Sequence, residues 1–125
     1  MLVSGSLSET PLWELTASQQ TSNFAKQTVS LSQDMATYDF IKFVFRLTTS
    51  NASSIDVIYK SSDVLQFSDS NVTNKFVGCA AAYTSNWAYR RIYYISNTSV
   101  RFTDGILGTG TNNSQLIPLG VYGLK

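Results

Sequence analysis

The residues best equipped for recognition or chemistry lie in one run, Trp87-Ala88-Tyr89-Arg90-Arg91-Ile92-Tyr93-Tyr94. On a β-strand, a period of two puts Trp87, Tyr89, Arg91, Tyr93 and Ile95 on one face and Ala88, Arg90, Ile92 and Tyr94 on the other. Flat aromatic rings beside a guanidinium stack on sugar rings or anchor a protein interface. Trp87, Tyr89, Arg91 and Tyr93 are therefore the candidate ligand-binding set. The commoner role for such a strand is packing, in which the rings fill a sandwich core or a subunit contact while the arginines reach solvent. Alternation alone does not say which face is buried.

Catalytic chemistry is harder to place. Nucleophilic triads and the usual zinc sites need histidine or clustered cysteines, and this chain has no histidine and a single cysteine. Two facing carboxylates can hydrolyse glycosides without histidine. The acids, Glu9, Glu14, Asp34, Asp39, Asp56, Asp63, Asp69 and Asp104, fall mostly in expected loops, where caps and turns account for them. Asp63, Asp69 and Asn71 lack the complete alternate-oxygen pattern of a calcium loop. Gly105, Gly108 and Gly110 sit in an expected loop and do not precede a helix as a phosphate cradle does. No catalytic residue, metal site or cofactor is assigned.

Cys79 lies within Val77-Gly78-Cys79-Ala80-Ala81-Ala82, which suits a small buried hydrophobe better than a reactive thiol. The triplets beginning at Asn51, Asn71, Asn97 and Asn112 match the N-glycosylation acceptor pattern. In a chain this rich in Asn, Ser and Thr they read as turn chemistry.

Composition sets the context for these residues. The 125 residues suit one domain that buries a core without staples. Only 14% of residues are charged, against 43% hydrophobic, so Ser, Thr and Asn, about three residues in ten, must hydrate the surface. These side chains compete for backbone hydrogen bonds and favour turns and strands over helix interiors. Net charge is +1 without any block of like sign, which argues against a nucleic-acid or membrane-surface partner. The first residues lack the basic start and apolar core of a secretory signal, and no apolar run reaches membrane-spanning length. Export by a signal of its own is not expected.

The elements that must position the candidate face follow from alternation and turn residues. Residues 1–10 read as a flexible segment or linker, and 11–125 as a single domain. Pro11–Leu15 suits a short edge strand, and Gln27–Leu31 a second. A helical turn is expected at Asp34–Thr37. The strongest strand signal is Tyr38–Thr48, with Ile41, Phe43, Phe45 and Leu47 facing the core, and it pairs in a hairpin with Ile55–Lys60. Residues 61–75 read as a surface connection holding one short strand. Phe76–Thr84, Trp87–Ile95 and Ser99–Thr103 form a meander in which the small residues Gly78, Ala80, Ala81 and Ala82 leave room for the rings of the next strand. A loop from Asp104 to Ser114 precedes the last strand, Gln115–Gly123, where Pro118 implies an edge or a bulge. The expected fold is all-β, an antiparallel β-sandwich, jelly-roll-like, with little or no helix; an antiparallel barrel is the alternative.

Several stretches resemble a small β-sandwich found in phage tail fibres, baseplates and head fibres, including those of gut-bacterial phages. They are Leu12-Trp13, the run Ser22–Leu31, the run Tyr38–Phe45 and the closing Asn113–Lys125. The resemblance implies a virion component, commonly a homotrimer, in contact with other virion proteins and displayed on an extracellular particle. It implies no catalytic residue. Contact with a host-surface glycan or protein is compatible with it, with no nucleic acid and no membrane insertion. A carbohydrate-binding module of a bacterial surface or secreted protein is the alternative, binding sugar through Trp87, Tyr89 and Tyr93. An enzyme with paired carboxylates is a third possibility and requires two of the acids in a deep cleft.

Overall fold

Alternation in β3 (Phe40–Thr48) sets the layering. Ile41, Phe43 and Phe45 are buried completely, while Phe40, Lys42, Val44 and Arg46 on the opposite face are only partly covered. The computed structural model describes residues 8–50, 53–68, 77–83 and 85–125. Within them β3 forms a four-stranded antiparallel sheet with β1 (Glu9–Glu14), β4 (Ser54–Lys60) and β10 (Gln115–Leu124), in the order β1-β10-β3-β4. The second sheet holds β2 (Gln27–Ser30), β5 (Gly78–Tyr83), β6 (Asn86–Ser96), β7 (Ser99–Phe102), β8 (Ile106–Leu107) and β9 (Gly110–Thr111). Its strands run β2-β7-β6-β8-β9, and β5 pairs with β6.

The two sheets meet at Phe102. Its ring lies 6.3 and 6.1 Å from those of Phe43 and Phe45 on the opposing β3, and 5.7 and 5.8 Å from Trp13 and Phe24. Edge-on arrangements of this kind suit the aromatic quadrupole. Val29, Ala88, Ile92 and Val100 from the second sheet and Leu12, Leu116, Ile117 and Val121 from the first complete the interior. The protein is thus an all-β antiparallel sandwich with little helix: two 3-10 turns, Gln19–Thr21 and Met35–Thr37, and one helical turn, α1 (Ser61–Val64). The turn at Met35 falls where the sequence places one and is capped by Asp34, whose carboxylate accepts from Ala36 N at 2.7 Å.

Three local expectations change. Residues 61–68 form α1 and a following turn, not a strand, and bury Val64 and Phe67; residues 69–76 lie outside the described residues. The glycine-rich stretch expected to be a loop contains the small β8–β9 hairpin. Pro118 lies in a central strand, since β10 bonds to both β1 and β3, and the sheet tolerates it through a register shift between Pro118 and Gly120. Missing ladder donors are accommodated at such a bulge. The expected flexible segment at 1–10 lies outside the described residues as far as residue 7, and β1 already begins at Glu9.

The largest departure concerns Arg90, expected to reach solvent. It is 0% exposed, on the core face of β6 between Ala88 and Ile92. Its guanidinium donates four hydrogen bonds to backbone carbonyls: Nε to Leu116 at 2.8 Å, Nη1 to Phe24 at 2.8 Å and Thr103 at 2.7 Å, and Nη2 to Gln115 at 2.9 Å. The Phe24 ring centroid lies 5.5 Å from Cζ. Burial draws the group down to about 10, with Asp104 opposing, so it stays charged at neutral pH. Leu116 adopts the left-handed region at φ 49°, a strained conformation for a branched residue. Gly105 has no room for a side chain, because a Cβ there would stand 2.8 Å from Nη2 and 2.5 Å from Asn112 O.

Replacing Arg90 by Leu leaves those four carbonyls buried without their donor. At about 1–3 kcal/mol for each orphaned buried group, taken as non-additive, the substitution costs roughly 4 kcal/mol. The expected outcome is a large fall in the urea midpoint or failure to fold. A loss below about 1 kcal/mol would show that the carbonyls find other partners.

Candidate functional site

Strand β6 separates its two faces along its length. Ala88, Arg90 and Ile92 point into the core, and Trp87, Tyr89, Arg91, Tyr93 and Ile95 lie on the outer face. The rings therefore do not fill the sandwich core. Trp87 is 68% exposed, Ile95 is exposed, and Tyr89, Arg91 and Tyr93 are partly covered.

The antiparallel register with β5 explains why the outer face is recessed. Trp87 lies opposite Ala82, Tyr89 opposite Ala80 and Arg91 opposite Gly78. Each large side chain faces a small one across the ladder, so the cross-strand space normally filled by a partner stays open. The small residues of β5 do make room for the rings of β6, but they do so toward solvent. The result is a shallow depression of about 410 Å³ lined by Ala80, Trp87, Ala88, Tyr89 and Arg91. On the other edge of β6, Ile106 of β8 lies opposite Tyr89. The Arg91 guanidinium carbon is 6.0 Å from the Tyr89 ring centroid, and Arg91 N donates to Thr103 Oγ1 at 3.0 Å, fixing the strand beneath it.

Of the four residues singled out in the sequence, three line this depression and Tyr93 does not. The Tyr93 ring stacks on Phe67 with centroids 5.9 Å apart and planes 6° apart, and Arg101 lies 5.4 Å from it. Tyr94 N donates to Phe67 O at 2.7 Å, so the segment after α1 runs beside β6 and supplies the Phe67 ring. Tyr93 thus serves packing.

The carboxylates have structural partners. Glu9 pairs with Lys42, Glu14 accepts from Tyr122 Oη at 2.8 Å, and Asp104 accepts from Lys26 N at 2.8 Å. Asp34 caps the Met35 turn, Asp63 lies in the first turn of α1 and Asp56 sits in β4 opposite Val44; Asp69 lies outside the described residues. Burial, reinforced by the bond to Glu14, pushes the Tyr122 phenol up to about 12. Among the described residues no group of three or more Cys, Asp and Glu side chains is placed to hold a metal ion. Asn71 of the calcium-loop pattern lies outside the described residues. So do the acceptor positions Asn51 and Asn71, whereas Asn97 and Asn112 are turn residues: Asn97 Oδ1 accepts from Tyr94 Oη at 2.7 Å, and Asn112 Oδ1 accepts from Ser114 N at 3.1 Å.

No protein-family model matches this chain, and no curated protein matches it.

Cys79 lies on the core face of β5 opposite Arg90 and is buried. Desolvation pushes its thiol up to about 11, leaving roughly one thiolate in a thousand at pH 8. A maleimide or disulfide reagent at that pH is expected to leave the folded chain unmodified and to label one thiol per chain in denaturant. Rapid labelling without denaturant would contradict this placement.

Proposed function

We propose that this chain is a non-enzymatic structural and adhesion domain of a phage virion, of tail-fibre or head-fibre type. It works as a homotrimer among other virion proteins on an extracellular particle and contacts host-surface glycan through the outer face of β6. The observation that carries the adhesive role is Trp87, 68% exposed on a strand fixed from both edges, beside Tyr89 and Arg91 over an alanine floor. Exposing a large ring on a rigid element forgoes its burial and keeps it available to a partner at little entropic cost. The antiparallel sandwich, the sparsely charged hydroxyl-rich surface and the resemblance of the segments around Leu12-Trp13, Ser22–Leu31, Tyr38–Phe45 and Asn113–Lys125 support the virion context.

The same depression also suits a monomeric carbohydrate-binding module of a bacterial surface or secreted protein. Assembly state separates the two. Light scattering coupled to size exclusion, over a hundredfold range of concentration, is expected to give three times the 13.8 kDa chain mass. A monomer throughout would overturn the virion assignment in favour of the binding module. In either assembly Trp87→Ala is expected to weaken glycan binding by about tenfold or more, corresponding to about 1.4 kcal/mol, with the urea midpoint unchanged. Undiminished binding would remove Trp87 from the contact surface.

A further inference from the structure

The depression on β6 has a chemical asymmetry that a plain aromatic shelf lacks. Of its five lining residues Arg91 alone is charged, and the others contribute two aromatic rings and alanine. We propose that it is a subsite for a single acidic sugar unit, a uronic or sialic acid residue, whose ring rests on Trp87 or Tyr89 and whose carboxylate pairs with the Arg91 guanidinium. This inference rests on the glycan-contact function above and narrows it to one ligand class.

Spacing, size and charge point the same way. Residues two apart on a strand stand about 7 Å from one another, so Tyr89 and Arg91 present a ring face and a cation across the width of one sugar and its carboxylate. A volume of about 410 Å³ lies toward the lower end of the range for small-molecule sites. A helix about 10 Å across is too wide for it. The planar fork of Arg91 matches a carboxylate in two parallel hydrogen bonds, whereas a neutral sugar uses only the rings. Net charge is +1, so no broad field draws anions to this protein, and the preference must arise locally. Polyanion binding through many phosphates needs an extended basic surface; here the lining holds one cation.

The test titrates the full chain with a uronic-acid-containing oligosaccharide and with its carboxyl-reduced neutral counterpart, followed by calorimetry and saturation-transfer NMR. The acidic form is expected to bind roughly tenfold more tightly, with a modest loss at high salt appropriate to one ion pair. Arg91→Gln is expected to bring the acidic-to-neutral ratio close to one while leaving neutral binding intact. Ala80→Leu, which raises the floor without touching the cation, should weaken both ligands. Equal affinity of the wild-type chain for the two forms would overturn the acidic subsite and leave glycan contact standing. Retention of the preference in Arg91→Gln, with its fold verified by an unchanged urea midpoint, would overturn the role of Arg91. Binding of neither form would overturn both the subsite and the glycan contact. The wild-type comparison requires no variant to fold.

Discussion

The structure depends most on a buried cation that is satisfied by peptide groups instead of an acid. Desolvating a guanidinium is costly, and an unpaired charge inside a protein is normally neutralised or expelled. Arg90 remains charged because four carbonyls from three separate stretches of chain, at Phe24, Thr103 and Gln115-Leu116, converge on it. The constraint is reciprocal. Those carbonyls lie in loop and bulged backbone that no regular ladder serves, and the planar fork satisfies them together. The left-handed backbone at Leu116 and the absence of a side chain at Gly105 follow from bringing the strands close enough for this arrangement.

Much of the layering was legible in the sequence because β-branched and aromatic residues alternate cleanly where one face is buried. β3 and the β6–β7 meander show this, and so does the hairpin partner β4. The exceptions are physically specific. β10 reads as an edge from its proline, but the bulge after Pro118 relieves the missing donor and admits the strand to the middle of the sheet. Residues 61–68 carry too few apolar positions to distinguish a helical turn from a strand. Two-residue ladders such as β8 and β9 leave no periodic signal at all.

The candidate site was half legible. Alternation separated the Trp87, Tyr89 and Arg91 face from the Arg90 face but did not reveal which was inward. The clue was present in the register itself: the inward set, Ala88, Arg90 and Ile92, is the more apolar of the two apart from its arginine. That arginine was read as a solvent-seeking charge because its acceptors come from residues as far as 66 positions away, a distance over which no local pattern operates. Tyr93 shares the face of Trp87, and only the ring of Phe67, delivered by a separate segment, shows that it is already occupied.

The position of β10 has a consequence for biosynthesis. This strand lies between β1 and β3, and its first two residues supply two of the carbonyls held by Arg90. On a ribosome, residues 9–14 emerge more than a hundred residues before the strand they pair with, and β3 has only its β4 hairpin until then. The first sheet and the Arg90 centre therefore close together, after residue 124 has cleared the exit tunnel. Such long-range pairing slows folding and leaves the edges of β1 and β3 uncovered meanwhile, so the nascent chain is most vulnerable to association with its neighbours just before its synthesis ends.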